Sequence, residues 1–193
     1  MKQLRIHGRG GQGVVTAAEM LSVAAFVEGR HAQAFPSFGS ERTGAPVVAF
    51  CRIGDTAIRT REPVTEPDVV IVQDVTLLHQ VDVFGGLRPS GYVLLNSAGS
   101  LADLGIDAVA ERLPSGHVAV LPATELAMTH IGRPVPNAAL LGGFAALTRL
   151  VSLGSVETAM RARFTERVAE SNIAAARQAH EFVAAELKEL TRA

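Results

Sequence analysis

Two hydrophobic periods alternate along this chain. Leu4 and Ile6 alternate with polar neighbours, which predicts a short strand, and the glycines Gly8, Gly10, Gly11 and Gly13 follow at once. An apolar run of helical character then fills Val14–Val27, so strand, glycine turn and helix open a βαβ unit. His31–Phe35 reads as the second strand and closes on Phe35-Pro36. In Val47–Ile53, Val47, Ala49, Cys51 and Ile53 share one face, while Val48, Phe50 and Arg52 share the other. Gly54-Asp55 leads on into Thr56–Thr60, which predicts a β-hairpin. Val69–Val72, set between Asp68 and Gln73-Asp74, and Tyr92–Leu95, ending at Asn96, are continuous apolar runs. Strands buried on both faces of a parallel sheet read this way. His117–Leu121 is a last short strand stopped by Pro122. Leu77–Val83 and Thr124–Ile131 read as helical, and Leu101–Leu113 as a weaker segment.

From Pro136 onward the pattern is helical. Ala138–Val151 is apolar almost all round, which predicts a buried helix, and Asn137 is placed to cap it. Gly142-Gly143 inside that helix costs about 1 kcal/mol per residue relative to alanine, which points to a backbone approached closely there. Ser155–Arg163 is a further helix. The last, Val168–Leu190, carries Ala179, Val183, Leu187 and Leu190 on one stripe, with Glu181, Glu186 and Lys188 off it. Without linker or repeat, residues 1–193 are expected to form one α/β domain. It has three layers, a mostly parallel sheet with one β-hairpin, and a helical C-terminal tail.

Composition narrows the function. Hydrophobic residues make up 48% and charged residues 19%, so part of the surface is expected to be covered by partner subunits. No apolar run approaches the roughly 18 residues of a membrane span, so no membrane is expected. Eighteen basic and nineteen acidic residues give a net charge of -1 without a basic block, which argues against nucleic acid. A single cysteine excludes an internal disulfide framework and an iron–sulfur cluster held by this chain alone. The N-terminus runs directly into a strand, leaving no room for a signal peptide, and the expected location is cytoplasmic.

The candidate chemistry sits in the glycine turn. Gly8, Gly10 and Gly13 fit the spacing G-x-G-x-x-G, which lets backbone amides approach a phosphate at a helix N-terminus. A dinucleotide site also needs an Asp or Glu about 20 residues on, for the ribose hydroxyls. The second strand ends without one, and Glu28 comes too early, before Gly29. A different anionic ligand, a protein interface and a turn that merely packs all stay open. The loop Pro36–Pro46 is polar and long for a functionless connection. Cys51 reads as a core thiol and His7 as a packed, hydrogen-bonded histidine.

Three segments carry a resemblance over nearly the whole chain. They are Gly8-Arg9-Gly10-Gly11-Gln12-Gly13, then Phe38-Gly39-Ser40-Glu41-Arg42-Thr43-Gly44-Ala45-Pro46-Val47 continued by Ala49-Phe50 and Arg52-Ile53, and finally Pro136-Asn137 together with Asn172. The chain resembles the gamma subunit of 2-oxoacid:ferredoxin oxidoreductases, the pyruvate synthase group. The resemblance implies a complex that decarboxylates a 2-oxoacid on thiamine diphosphate, passes electrons through iron–sulfur clusters to ferredoxin or another acceptor, and releases an acyl-coenzyme A. Pyruvate, or an aryl or branched 2-oxoacid such as phenylglyoxylate, is the implied substrate class. Thiamine diphosphate, Mg and [4Fe-4S] clusters are implied on alpha, beta and delta-type partner subunits. This chain shows neither a thiamine signature nor a cysteine cluster, and is expected to have no catalytic residue of its own. Its implied contribution is subunit interface and coenzyme A. Gly8, Gly10, Gly11, Gln12 and Gly13 would lie at the coenzyme A phosphates, with Glu41, Arg42 and Thr43 ordering the loop above or closing on a neighbour. An ion pair with Glu41 or with another carboxylate at an interface is the plainer role for Arg42. Asn137 is a helix cap or a ligand. The alternatives are a free-standing Rossmann-like nucleotide-binding oxidoreductase and a purely structural subunit.

Overall fold

In the computed structural model, which describes residues 1–37 and 43–192, one sheet of six strands organises the chain. The strands are β1 (Lys2–Arg9), β2 (His31–Pro36), β3 (Pro46–Gly54), β4 (Val69–Val72), β5 (Tyr92–Asn96) and β6 (Val118–Leu121), and they lie in the order β2-β3-β1-β4-β5-β6. β1, β4, β5 and β6 are mutually parallel. β3 runs antiparallel to both of its neighbours, pairing Leu4 with Cys51 on one side and Ala34 with Cys51 on the other.

This arrangement corrects two expectations. The hairpin is β2–β3, closed by the loop after Pro36, and no strand forms over Thr56–Thr60. The reason is geometric: β1 and β2 already occupy both edges of β3, so Gly54-Asp55 has no free ladder to turn back onto. The segment beyond is fastened by a side chain instead, Arg52 donating to the carbonyls of Thr60 and Glu62 from beneath the Phe35 ring. Likewise β1 and β2 are not neighbours, as a simple βαβ unit would have them, because β3 lies between them.

The helices are α1 (Val14–Val27), α2 (Asp107–Ala110), α3 (Ala123–Ile131), α4 (Asn137–Thr148), α5 (Leu153–Arg163) and α6 (Glu166–Arg192), with a 3-10 turn at Val75–His79. The C-terminal helices do not trail away from the sheet. α4 is buried at all twelve positions, lying between the sheet and α6. Its glycine pair is what admits both neighbours. A β-carbon on Gly143 would stand 2.8 Å from Leu121 Cδ2 on the sheet side, and one on Gly142 would collide with the Ala176 carbonyl of α6. Alternation divides the two cores. Leu4, Ile6, Val69 and Ile71 face α1 and α4, whereas Val70, Val72, Val93 and Leu95 face a thinner layer around Leu77, Val83 and Ile106.

Glu28, too early in sequence to hold a ribose, has a structural task. Its carboxylate accepts from Ser152 N at 2.6 Å and Ser155 Oγ at 2.7 Å, tying the end of α1 to the start of α5. Asn172 lies within α6 and donates to the Val168 carbonyl of its own helix.

Candidate functional site

The connection from β1 leaves over one face of the sheet, through α1, while the connections from β4 and β5 leave over the other. Between β1 and β4 the chain therefore changes sides, and at such a switch point a crevice opens beyond the carboxyl ends of parallel strands. The glycine turn occupies this position.

Gly13 sits at the N-cap of α1 with φ 75°, and among the described residues no side chain caps the helix; its first turn holds no acidic residue. The leading N–H groups of a helix have no intrahelical partner, and together with the dipole they favour an anion. Gly8 and Gly13 are also demanded by packing. A β-carbon on Gly8 would stand 2.6 Å from Val14 Cγ2, and one on Gly13 would stand 2.6 Å from Asn137 Nδ2. Gly11 is different. Its φ is 91°, yet a β-carbon there would meet nothing within 4 Å among the described residues.

Polar side chains hold the turn from outside. Arg9 gives its Nε to Asp74 Oδ2 at 3.1 Å, Nη1 to the Gly44 carbonyl at 3.0 Å and Nη2 to Thr76 Oγ1 at 2.6 Å. Gln12 bridges within the turn, accepting from Arg9 N at 2.7 Å and donating to Asp74 Oδ2 at 2.9 Å. Burial raises the pKa of Asp74, but hydrogen bonds from Thr76 and Gln12 and the charge of Arg9 outweigh it, and the carboxyl titrates below its ordinary value. The loop is stitched on by Gly10 N to the Ala45 carbonyl at 2.9 Å and Gly44 N to the Gly10 carbonyl at 3.1 Å, with Thr43 bridged to Gly10.

Gly8, Gly10, Gly11, Gln12, Gly13, Thr43 and Asn137 are therefore brought together at one end of the sheet. Glu41 and Arg42 lie outside the described residues. Asn137 is the first helical residue of α4 rather than its N-cap, a place taken by Pro136, although its Oδ1 accepts from Ala138 N at 2.8 Å. Its amide instead closes against the back of the glycine turn.

Arg9, Gln73 and Asp74 are the residues of this region that sequence reasoning missed. Gln73 is 1% exposed, and among the described residues neither atom of its amide has a partner. Its Oε1 lies 3.1 Å from where a Gly8 β-carbon would be. An orphaned buried amide costs about 1–3 kcal/mol and calls for an explanation. The available signal was the polar pair Gln73-Asp74 at the carboxyl end of a fully buried strand. His7, packed as expected, lacks the expected bonds: both ring nitrogens are unpartnered among the described residues. Burial and then the charge of Arg5 lower its pKa to about 4, so it is neutral at pH 7. Burial pushes the Cys51 thiol up to about 12, as suits a core residue.

The family model for pyruvate ferredoxin/flavodoxin oxidoreductase matches residues 3–182. The chain belongs to that family. It is 45% identical over 181 residues to pyruvate synthase subunit PorC of Methanothermobacter marburgensis, covering 94% of this chain and 97% of that one. It is 46% identical to the pyruvate/ketoisovalerate oxidoreductases common subunit gamma of Pyrococcus abyssi, covering 94% and 96%. Among solved structures, the pyruvate oxidoreductase subunit PORC of Thermotoga maritima superposes with a TM-score of 0.77 at 35% identity, over 93% of this chain and 95% of that one. A 2-oxoglutarate:ferredoxin oxidoreductase from Magnetococcus marinus, solved with 2-oxoglutarate, coenzyme A and succinyl-CoA bound, matches all of this chain with 32% of its own length. There the TM-score is 0.72 and the identity 18%, a likeness of fold. This chain is thus the gamma subunit of a 2-oxoacid:ferredoxin oxidoreductase complex. Among the described residues no helix is long and apolar enough to cross a membrane, and no group of three or more His, Cys, Asp or Glu is placed to hold a metal ion.

Proposed function

We propose that this gamma subunit holds the phosphates of coenzyme A at the N-terminus of α1, so that the thiol can reach an acyl group made on a partner subunit. Gly10, Gly11, Gln12 and Gly13 supply the cradle, Gly8 the close packing beneath it, and Thr43 a hydroxyl beside it. Glu41 and Arg42 order the loop above or close on a neighbour. The complex oxidises pyruvate or a related branched or aryl 2-oxoacid in the cytoplasm and passes electrons to ferredoxin or another acceptor. When bound, thiamine diphosphate with Mg and [4Fe-4S] clusters on alpha, beta and delta-type subunits supply decarboxylation and electron transfer. This chain, one domain over residues 1–193, contributes binding and interface.

Gly11 carries the reading. Gly8 and Gly13 back onto neighbours, whereas Gly11, a glycine because its φ of 91° is left-handed, leaves a bare backbone at the turn. Among the described residues Gly11 backs onto open space, at a helix end that none of their side chains caps and at a switch point of the sheet. A bare backbone facing out is what close approach of a phosphate requires. The dinucleotide alternative is disfavoured by the carboxylates at hand. β1 lies between β3, which begins at this end with Pro46-Val47, and parallel β4, whose following Asp74 is already engaged by Arg9, Gln12 and Thr76.

The test is steady-state kinetics of the co-expressed complex carrying Gly11→Val. The KM for coenzyme A should rise at least tenfold while the KM for the 2-oxoacid stays within twofold. An unchanged KM for coenzyme A would return the turn to a packing role.

A further inference from the structure

At the far edge of the sheet, β6 has no second neighbour among the described residues. Val93 N donates to the His117 carbonyl and Ser97 N to the Leu121 carbonyl, so residues 117, 119 and 121 face β5. Parity leaves the N–H and C=O groups of Val118 and Val120 pointing off the edge. Beside them a groove of about 920 Å3 opens between β6, the 97–102 loop and the last turns of α6. Leu101, Val118, Val120, Phe182, Leu187 and Leu190 give it an apolar lining. Phe182 is 39% and Leu190 51% exposed, although the stripe to which Leu190 belongs is buried upstream at Ala179 and Val183. Its charged rim is of one sign among the described residues: Glu125, Glu186 and Glu189 line it, and no Lys or Arg does. Burial, and then the charge of Glu189, push the Glu186 carboxyl above its ordinary value.

We infer that this edge docks an extended segment of a partner subunit, apolar at alternate positions and flanked by Lys or Arg, which adds a seventh strand to the sheet. Each element answers one feature of the groove. The backbone of an added strand satisfies Val118 and Val120. Alternate apolar side chains enter the groove, following the two-residue period of a strand. Flanking cations meet Glu186 and Glu189 and set orientation and salt dependence. A bare edge strand beside an apolar groove is otherwise an aggregation hazard, and natural sheets protect such edges with charge or a cover. Here the charge is acidic, and the described residues supply no cover. A second copy of the chain fits less well, since the same glutamates would face one another across a two-fold interface.

The inference is independent of the coenzyme A reading and is tested on the purified complex and on the isolated chain. Hydrogen exchange of the Val118 and Val120 amides should be fast in the isolated chain and at least a hundredfold slower in the complex. The double charge reversal Glu186→Lys/Glu189→Lys, on the outer part of α6, should weaken assembly with the partner subunits at least tenfold at low salt. The difference should shrink as salt is raised, with the melting temperature of the isolated chain unchanged. Equal exchange in both states would overturn the proposal, as would a charge reversal without effect on assembly. Protection that grows with the concentration of the isolated chain would overturn it in favour of a second copy.

Discussion

Gly13 and Asn137 share one space: a β-carbon on the glycine would stand 2.6 Å from the amide nitrogen of the asparagine. Two segments more than a hundred residues apart, the glycine turn and the start of α4, are thereby fixed to each other. Gly13→Ala should cost about 2 kcal/mol, combining left-handed strain at φ 75° with displacement of Asn137. In an Asn137→Ala background the same change should cost about half as much, because only the strain remains. Denaturant unfolding of the four members of the cycle checks this. Strict additivity would mean that the contact has no energetic weight.

The helix-on-helix approach at Gly142 is less forgiving. An added methyl meets the Ala176 carbonyl, which belongs to backbone and has no rotamer to yield. Gly142→Ala should destabilise the chain by about 3 kcal/mol or more, despite alanine's better helix propensity. Gly105→Ala, left-handed but with nothing within 4 Å, should cost only about 1 kcal/mol. Thermal unfolding of the two variants compares crowding with strain.

His7 makes stability depend on mild acid. Its pKa is lowered from 6.5 to about 4 in the folded chain, so below pH 6.5 the unfolded state binds the proton first and stability falls as pH drops towards 4. Integrated over that window the loss approaches ~3 kcal/mol. Asp74 and Glu28, held below their ordinary values by hydrogen bonds, act the same way lower down: their contribution is present above the unfolded pKa and is lost as pH falls through the folded one. His7→Leu should flatten the curve between pH 6.5 and 4 and leave the steeper acid limb in place. A variant with the parental slope in that window would remove His7 as the cause.

The carboxylates near the turn also predict a negative result with NAD. A ribose carboxylate normally ends a strand adjacent to β1; here β3 is reversed, the Asp74 that follows β4 is held by Arg9, Gln12 and Thr76, and Glu28 is engaged at α5. Millimolar NAD should leave the melting temperature of the complex unmoved. A shift of several degrees, abolished by Gly11→Val, would restore the dinucleotide reading.

How much of this was legible follows from what local pattern can encode. β1, α1 and the buried runs of β4 and β5 were readable because their periods are local, and Gly142-Gly143 announced a close approach because two glycines in a helix are costly. Pairing partners were not readable. Nothing in Val47–Ile53 says that both its edges are taken, so Thr56–Thr60 looked like a returning strand, and β2 looked like a neighbour of β1. The site was half legible. The glycine spacing marks the turn, whereas Arg9, Gln73 and Asp74 acquire their roles only when β1 and β4 are set side by side. Asn137 was seen as a cap because its sequence context ends at Pro136, while its packing against Gly13 depends on the whole of α4 being folded over the sheet.

The central claim, coenzyme A phosphates at the start of α1, is tested most directly by amide hydrogen exchange over residues 10–16 in the assembled complex, with and without saturating coenzyme A. The account predicts at least tenfold slower exchange for the amides of Gly11, Val14, Val15 and Thr16 on binding, with the Val118–Leu121 strand unchanged. Saturation by coenzyme A with exchange at residues 10–16 unaltered would contradict it and place the phosphates elsewhere in the complex.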